Sequence, residues 1–552
     1  MRTMSFLSAI TLAALALPTD AEACGGFFCN RDLPVDQSKE RILFAIDDDA
    51  GTVEAHIQVF YQGEAEDFAW ILPTPGVPSI DPSSDVLFDT LEPVTRPYFW
   101  LDWQFDDDCQ EVWYDDVAEA DGVDFDDSGF DKGPPNDPNS GVTILDQGQV
   151  GNYVQTTLQA ESAEALTTWL QDNDYDLPKD YLSKLGSYVV PGNSFIALKL
   201  AKNKDAGDIT PIKVTWPGDA ASIPITLTSV AAVPDMRLEV YVLADHRAVP
   251  DNYLHVRINE AAIDWLNGGS NYEETISMAA DEAGGHAFAT DYSGKHEDMG
   301  SEWWFQFKYL NTAALALMDT PAEFMNGIIS QGFPANQTML GLLTEWMPLP
   351  EGSNVEPTDF YDCVECYPEL AAQIDFDAPG FADALQETIV EPLENGRALL
   401  DRHSTLTRLT SSMSPDEMDE DPFFILNRQL PPVSNQHQAT LFHDCDESGD
   451  ISTAKRTLQL SDGRELEMPS QEELTDYPAW LNGLSLPAAG IIEDLNGADE
   501  GEILQDQRDV GLAPIDGISE VAGCGGCSNS QTPRSLLALF GLGGFLGLRR
   551  RK

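Results

Sequence analysis

The chain has 552 residues, with 30 Lys and Arg against 94 Asp and Glu and a formal net charge of −64. A surface this negative repels phosphate backbones, and no segment between the termini supplies a Lys/Arg stripe, so nucleic acid is excluded as a partner. Hydrophobic residues reach 42%, which excludes wholesale disorder, and the length suits about two to four domains.

Residues 1–23 read as a secretory signal peptide: Arg2, an apolar run from Phe6 to Leu17, and the small-x-small triplet Ala21-Glu22-Ala23 before Cys24. The run is too short for the roughly 20 residues of a bilayer span. Ala21 stands where a lipoprotein signal wants a large aliphatic residue, so ordinary cleavage after Ala23 is expected.

Residues 24–300 form a β-rich domain. Thr52 to Tyr61 alternates at period two, with Val53, Ala55, Ile57, Val59 and Tyr61 on one face, so the opposite face, with His56, meets solvent. Asp67 to Leu72, Ser194 to Leu200, Thr210 to Trp216 and Arg237 to Leu243 read the same way. Ile223 to Val230 reads as a strand whose Pro224 places it at an edge or a start. The stretch at about 102–141 is an acidic, Gly/Pro-rich insert. One amphipathic helix interrupts the strands, with Ser162 as N-cap and Ala163, Leu166, Trp169 and Leu170 on one face. Strands joined by turns argue for an antiparallel, sandwich-like arrangement.

Residues 301–495 read as a largely helical region, so the fold class is α+β. Thr320-Pro-Ala-Glu323 supplies an N-cap, a first-turn Pro and a capping-box Glu, and Gly332 stops that helix. A second helix starts at Asn336. Ala382 to Asp401 has helical spacing with a kink at Pro392, and Ser414-Pro-Asp-Glu417 opens another helical turn. Residues 496–523 read as a linker.

Residues 524–552 form a tail: Cys524-Gly-Gly-Cys527, a polar spacer, an apolar stretch from Ser535 to Leu548, and the cluster Arg549-Arg-Arg-Lys552. The positive-inside rule keeps the cationic end in the cytoplasm, which turns the Cys pair outward. This order resembles the myxobacterial C-terminal sorting signal, the MYXO-CTERM tail. The resemblance implies processing by a membrane sorting protease and anchorage at the cell surface, through Cys524 or Cys527. A simple tail anchor is the alternative.

Six further cysteines suit an exported chain with disulfides. Sequence proximity pairs Cys24 with Cys29 and Cys363 with Cys366, which leaves Cys109 and Cys445 as a long-range bridge. Asp362 and Glu365 would raise a thiol pKa where redox chemistry needs it lowered, and no partner motif completes a zinc site around Cys363 and Cys366.

No HExxH, GxSxG, Walker A or dinucleotide fingerprint is present. Ser452-Thr-Ala-Lys455 fits an SxxK pattern without its companion Lys-Thr-Gly. His286 and His296 read as loop residues. Asp444, Asp446, Ser448 and Asp450 occupy positions 1, 3, 5 and 7 of a calcium loop with Gly449 at 6, but Lys455 stands where a bidentate Glu belongs. A solvated turn is the competing reading, and no other cofactor is indicated.

Cys24-Gly-Gly-Phe-Phe-Cys29, Arg41-Ile-Leu-Phe44, Glu66-Asp-Phe-Ala-Trp-Ile-Leu-Pro-Thr-Pro75, Tyr188-Val-Val-Pro-Gly-Asn-Ser-Phe-Ile-Ala-Leu-Lys199 and Met418-Asp-Glu-Asp-Pro-Phe423 are similar to the bacterial family called domain of unknown function 2330. The resemblance implies an envelope-facing architecture and brings no catalytic residues. The expectation is a non-enzymatic, disulfide-stapled protein exported to the cell surface or outer membrane, with a role in envelope structure or adhesion. The export machinery and a sorting protease are its processing partners. The rivals are a secreted hydrolase with an unrecognised site and a calcium-stabilised binding module.

Overall fold

Ile42 to Ile46 are apolar on both sides of the strand, a pattern that suits a position with cover on both sheet faces. They lie at the middle of a ten-stranded sheet of order β21 (Glu502–Asp506), β20 (Ala489–Asp494), β13 (Leu254–Ile258), β14 (Ala287–Gly294), β15 (Thr405–Met413), β11 (Ala232–Ala244), β1 (Asp36–Asp47), β2 (Thr52–Gln62), β9 (Ile212–Pro217) and β4 (Ser79–Pro82). The computed structural model describes residues 36–62, 69–107, 109, 141–173, 175, 181–201, 209–295, 308–350, 352–496 and 500–511. The signal peptide, Cys24, Cys29, most of the acidic insert, His296, Cys524 and Cys527 lie outside the described residues. Two units divide at Leu512, and the first holds every described residue.

Three smaller sheets accompany the large one. They are β3 (Ala69–Pro75), β8 (Asn193–Leu200), β7 (Tyr153–Ala160) and β6 (Val142–Val150); β19 (Glu465–Met468), β18 (Lys455–Leu460), β17 (Gln436–Asp444) and β5 (Tyr98–Phe105); and β10 (Ala221–Ser222), β16 (Phe423–Asn427) and β12 (Arg247–Pro250). Most pairs are antiparallel, with parallel pairing of β1 with β11, β13 with β14, and β5 with β17. Alternation sorts the side chains as expected. Trp70 and Leu72 of β3 join Phe44, Ile57 and Val240 in a core between two sheets. Ala69 and Ile71 turn the other way, onto Leu166, Trp169 and Leu170 of the helix Ala163–Asp172. The architecture is α+β and β-rich, with sheet packed on sheet.

The far side of the large sheet is covered differently along its length. Leu43, Tyr241 and Leu243 meet Phe88 and Leu91 of the helix Asp85–Thr95, an element the period-two reading does not reveal. Val256, Ala287 and Ile492 pack with Ile276 and Ala279 of the helix Tyr272–Glu282, and with Leu441 and Leu458 of the β5-bearing sheet. Among the described residues no helix is long and apolar enough to cross a membrane.

Helix signals in the second half work where they are local. Thr320 Oγ1 accepts from the Glu323 amide at 3.2 Å, and Gly332 ends that helix at φ 74°. Asn336 caps the next helix through the Met339 amide at 3.0 Å. Pro392 does not break its helix: a π turn, Gln386–Val390, precedes Glu391–Leu400 and accommodates the missing donor.

Several expectations change. Ile223 to Val230 is not a strand; it contains the short helix Ile225–Thr228, with Pro224 at the N-cap position and its carbonyl accepting from Leu227. Ser414 to Glu417 is a single turn, closed by the Glu417 carboxylate on the Ser414 amide at 2.7 Å. The helical stretch ends at Leu400, and β15 to β20 follow within residues 301–495. The segment read as a linker contains β21, which pairs with β20.

Candidate functional site

The centre of the large sheet is polar. Glu239 on β11 is fully buried and lies 2.9 Å from Lys39 Nζ, 3.0 Å from Arg237 Nε, 3.2 Å from Arg41 Nε and 3.3 Å from Arg408 Nη2. Burial works to raise its pKa, but Arg408, Lys39 and Arg237 hold the carboxyl down at about 2. Arg408, equally buried, also reaches Asp291 Oδ2 at 3.1 Å. Asp291 further accepts from the hydroxyls of Tyr272 and Thr410. These residues come from β1, β11, β14, β15 and one helix, so the network ties the middle of the sheet to its cover.

Next to this centre, β13 and β14 part. Their parallel pairing runs from Leu254 with Ala287 to Val256 with Ala289 and stops. Arg257 and Thr290, the next residues on each strand, line a cavity of about 250 Å3 shared with Tyr272, Asp291, His437 and Arg464. A β-bulge falls at the same place, where Asp291 is the extra residue between the pairs Thr290 with Leu409 and Tyr292 with Arg408. Tyr272 also lines a second cavity of about 470 Å3, with Arg237, Glu273 and Ser412.

At the lip of the smaller cavity, three adjacent strands contribute one chain of contacts. Glu493 Oε1 on β20 lies 2.9 Å from His255 Nδ1 on β13, and His255 Nε2 lies 2.9 Å from Thr290 Oγ1 on β14. The Thr290 amide also points at Nε2, at 3.1 Å. A backbone N–H can only donate, so Nε2 is the acceptor and the ring proton sits on Nδ1, directed at Glu493. Arg257 grips Glu493 through Nε at 3.1 Å and Nη2 at 2.7 Å. Burial works to raise the Glu493 pKa, but the hydrogen bonds from His255 and Arg257 hold it at about 2. Burial lowers the pKa of His255, so its ring is neutral at neutral pH.

A third feature is an exposed aromatic surface. Tyr98 and Trp100 on β5 point outward, stacked at 6.4 Å with 27° between their planes. Trp100 is 56% exposed. The cross-strand partners Gln436, Gln438 and Thr440 share that face. On the opposite side Trp103 and Phe105 both stack on His443. The disulfide Cys109–Cys445 joins the chain just past β5 to the chain just past β17, across 336 residues.

The expected bridges Cys109–Cys445 and Cys363–Cys366 are both present. Asp444, Asp446, Ser448 and Asp450 do not gather around a common centre. Asp446 accepts from the Ser448 amide at 2.8 Å, and Asp450 from the Ser452 amide at 2.9 Å. Among the described residues, the carboxylate, thiol and imidazole donors that converge are Asp106, Cys109 and Cys445, and the disulfide already occupies both sulfurs. Ser452 donates to Asp450, while Lys455 pairs with Glu467 at 2.8 Å, so the SxxK residues do not face each other. His56 does not face solvent: it is buried between Ser83 Oγ at 2.7 Å and Glu54 Oε1 at 2.9 Å. His286 meets the Glu417 carbonyl and the Asp419 carboxylate, each at 2.8 Å.

Residues 18–300 match a bacterial family described as an uncharacterized protein conserved in bacteria, DUF2330. The chain belongs to DUF2330. The DUF2330 segment runs through β14 and includes His255 and Thr290, but Glu493, Arg408 and strands β15, β20 and β21 come from beyond it. No curated protein matches the chain. One solved structure, that of baculovirus P35, is similar to it at 12% identity and a TM-score of 0.23, over 39% of this chain and 66% of that one. A likeness at that score carries no argument about fold or role.

Proposed function

We propose that the protein is exported, held at the outer cell surface through its C-terminal tail, and acts there in envelope structure or adhesion. Its contact element is the aromatic outer face of β5 and β17, and its partner is an uncharged polysaccharide. The observation that carries this reading is the exposed Tyr98–Trp100 pair on a strand anchored by the Cys109–Cys445 bridge. Large exposed aromatic surface marks contact sites, and aromatic faces stack on the C–H side of sugar rings while neighbouring amides meet hydroxyls. Charge supports the choice of a neutral ligand. The residues directly opposite the pair on β17 are the uncharged Gln436 and Gln438, and Asp102, opposite Thr440, brings one carboxylate to the edge of the patch on a chain of net charge −64. The leader, the tail and the disulfides support the location.

Two experiments test the two halves. Intact-mass analysis of surface-extracted protein is expected to give a chain cleaved at both ends with its bridges formed. A cytoplasmic protein uncleaved at both ends overturns the location. In native affinity gels, hydroxyethyl cellulose is expected to retard the oxidised protein, and Trp100→Ala to abolish most of that retardation. Equal mobility of the two proteins in every gel of uncharged polysaccharide overturns the contact role.

A further inference from the structure

Beyond the surface role, we propose that Thr290, His255 and Glu493 form a hydrolytic centre for esters of short acyl groups, with Thr290 as nucleophile, His255 as general base and Glu493 as the group that orients the imidazole. The proposal uses none of the residues on which the surface reading rests, so either can fail alone.

Position comes first. Thr290 and Arg257 are the first residues past the point where two parallel strands separate, and in open sheets the gap beyond the carboxyl ends of diverging strands is where ligands bind. The bulge after Thr290 ends the regular ladder there, and His255 Nε2 takes the place of a ladder carbonyl in accepting the Thr290 amide. The Thr290 hydroxyl lies 2.9 Å from Nε2, within reach of the ring's one lone pair, which it shares with the Thr290 amide. Glu493 and His255 are directly opposed across β20 and β13. His255 is 2% exposed while Thr290 lines the cavity, so the nucleophile is at the solvent boundary and the base lies directly behind it. Arg247 Nη2 donates to Thr290 Oγ1 at 3.1 Å and favours negative charge on that oxygen. The depressed pKa of Glu493 and the neutral His255 give the protonation states this sequence of contacts needs.

The chemistry balances with water as the second reactant. Thr290 Oγ attacks the ester carbonyl carbon as its proton passes to His255 Nε2. The carbon–oxygen bond to the alcohol breaks, and the leaving oxygen takes that proton. Water then attacks the acyl-threonine, giving its proton to Nε2, and the carboxylic acid leaves as Thr290 Oγ recovers the proton. Arg257 and Arg464 line the cavity but are already paired with Glu493 and with Asp462, so Arg247, on Thr290 Oγ1, is the cation placed for the developing charge. A cavity of about 250 Å3 holds a short acyl chain and excludes a long one.

The test uses the mature, oxidised protein with p-nitrophenyl acetate and p-nitrophenyl octanoate. The expected result is release of p-nitrophenol faster with acetate than with octanoate, and, after acid quenching, one acetyl group on the peptide that carries Thr290. Thr290→Val is expected to lower the rate by about 100-fold or more, and Thr290→Ser, which keeps a hydroxyl, to stay within about tenfold of wild type. Peptide mapping of the wild-type protein decides the matter even if Thr290→Val does not fold. A folded wild-type protein with no rate above buffer and no acetyl on Thr290 overturns the proposal, as does an undiminished rate in folded Thr290→Val.

Discussion

Glu239→Gln removes one negative charge from among four cations and changes almost nothing in shape. The carboxyl is held at about 2 in the folded chain, against an ordinary value near 4.5, which corresponds to about 3 kcal/mol of stability at neutral pH. Breaking a buried ion pair from one side independently gives about 3–5 kcal/mol, so the two routes agree. The sign follows from the direction of the shift. The folded carboxyl is depressed, so its contribution is complete above about pH 4.5 and is lost as the pH falls towards 2. Glu40, which burial pushes up to about 7, works in the opposite sense, but it is present in both proteins and cancels in their difference. Urea unfolding followed by Trp fluorescence, run on both proteins from pH 7 down to the lowest pH at which they fold, measures that difference. It should be near 3 kcal/mol at pH 7 and shrink steadily below pH 4.5. A loss under about 1 kcal/mol at pH 7, or a gap that stays constant into acid, would refute the assignment of Glu239 as the counter-charge of the sheet centre.

The two bridges should differ in weight. Replacing Cys109 and Cys445 with Ser opens a loop of sequence separation 336 and should cost up to about 6 kcal/mol, whereas the same change at Cys363 and Cys366, three residues apart, should cost about 2 kcal/mol or less. Denaturation midpoints of the two double variants rank them, and equal losses would contradict the loop-length argument. Gly269 has φ +80°, and a Cβ there would sit 2.2 Å from the Phe99 ring. Gly269→Ala should therefore cost about 2–4 kcal/mol by melting and displace β5; a melting temperature unchanged from wild type would show that the ring can yield.

Much of the architecture follows from patterns that act within a few residues. Period-two alternation marked β2 and β9, because apolar cover on one face sorts their side chains, and β8 and β11 were legible through their apolar content although both of their faces are covered. Ser162, Thr320 and Asn336 announced helix starts, because an N-cap needs only its own side chain and an amide two or three residues on. What the tertiary structure alone decided is the polar interior. In β15, Thr407, Arg408, Thr410 and Ser411 are all buried among Leu406, Leu409 and Met413, so a strand at the middle of the largest sheet carries no period-two hydrophobic signature. Those side chains can be buried because Glu239 and Asp291 lie opposite Arg408, and a charge is stable out of water only beside such a partner. Glu493 and His255 are 238 positions apart, and β21 exists only because β20 offers it an edge. A local pattern reports what a residue prefers; which distant residue meets it, and hence whether a charge can be buried or a hydroxyl can meet a base, is settled only when the strands pair.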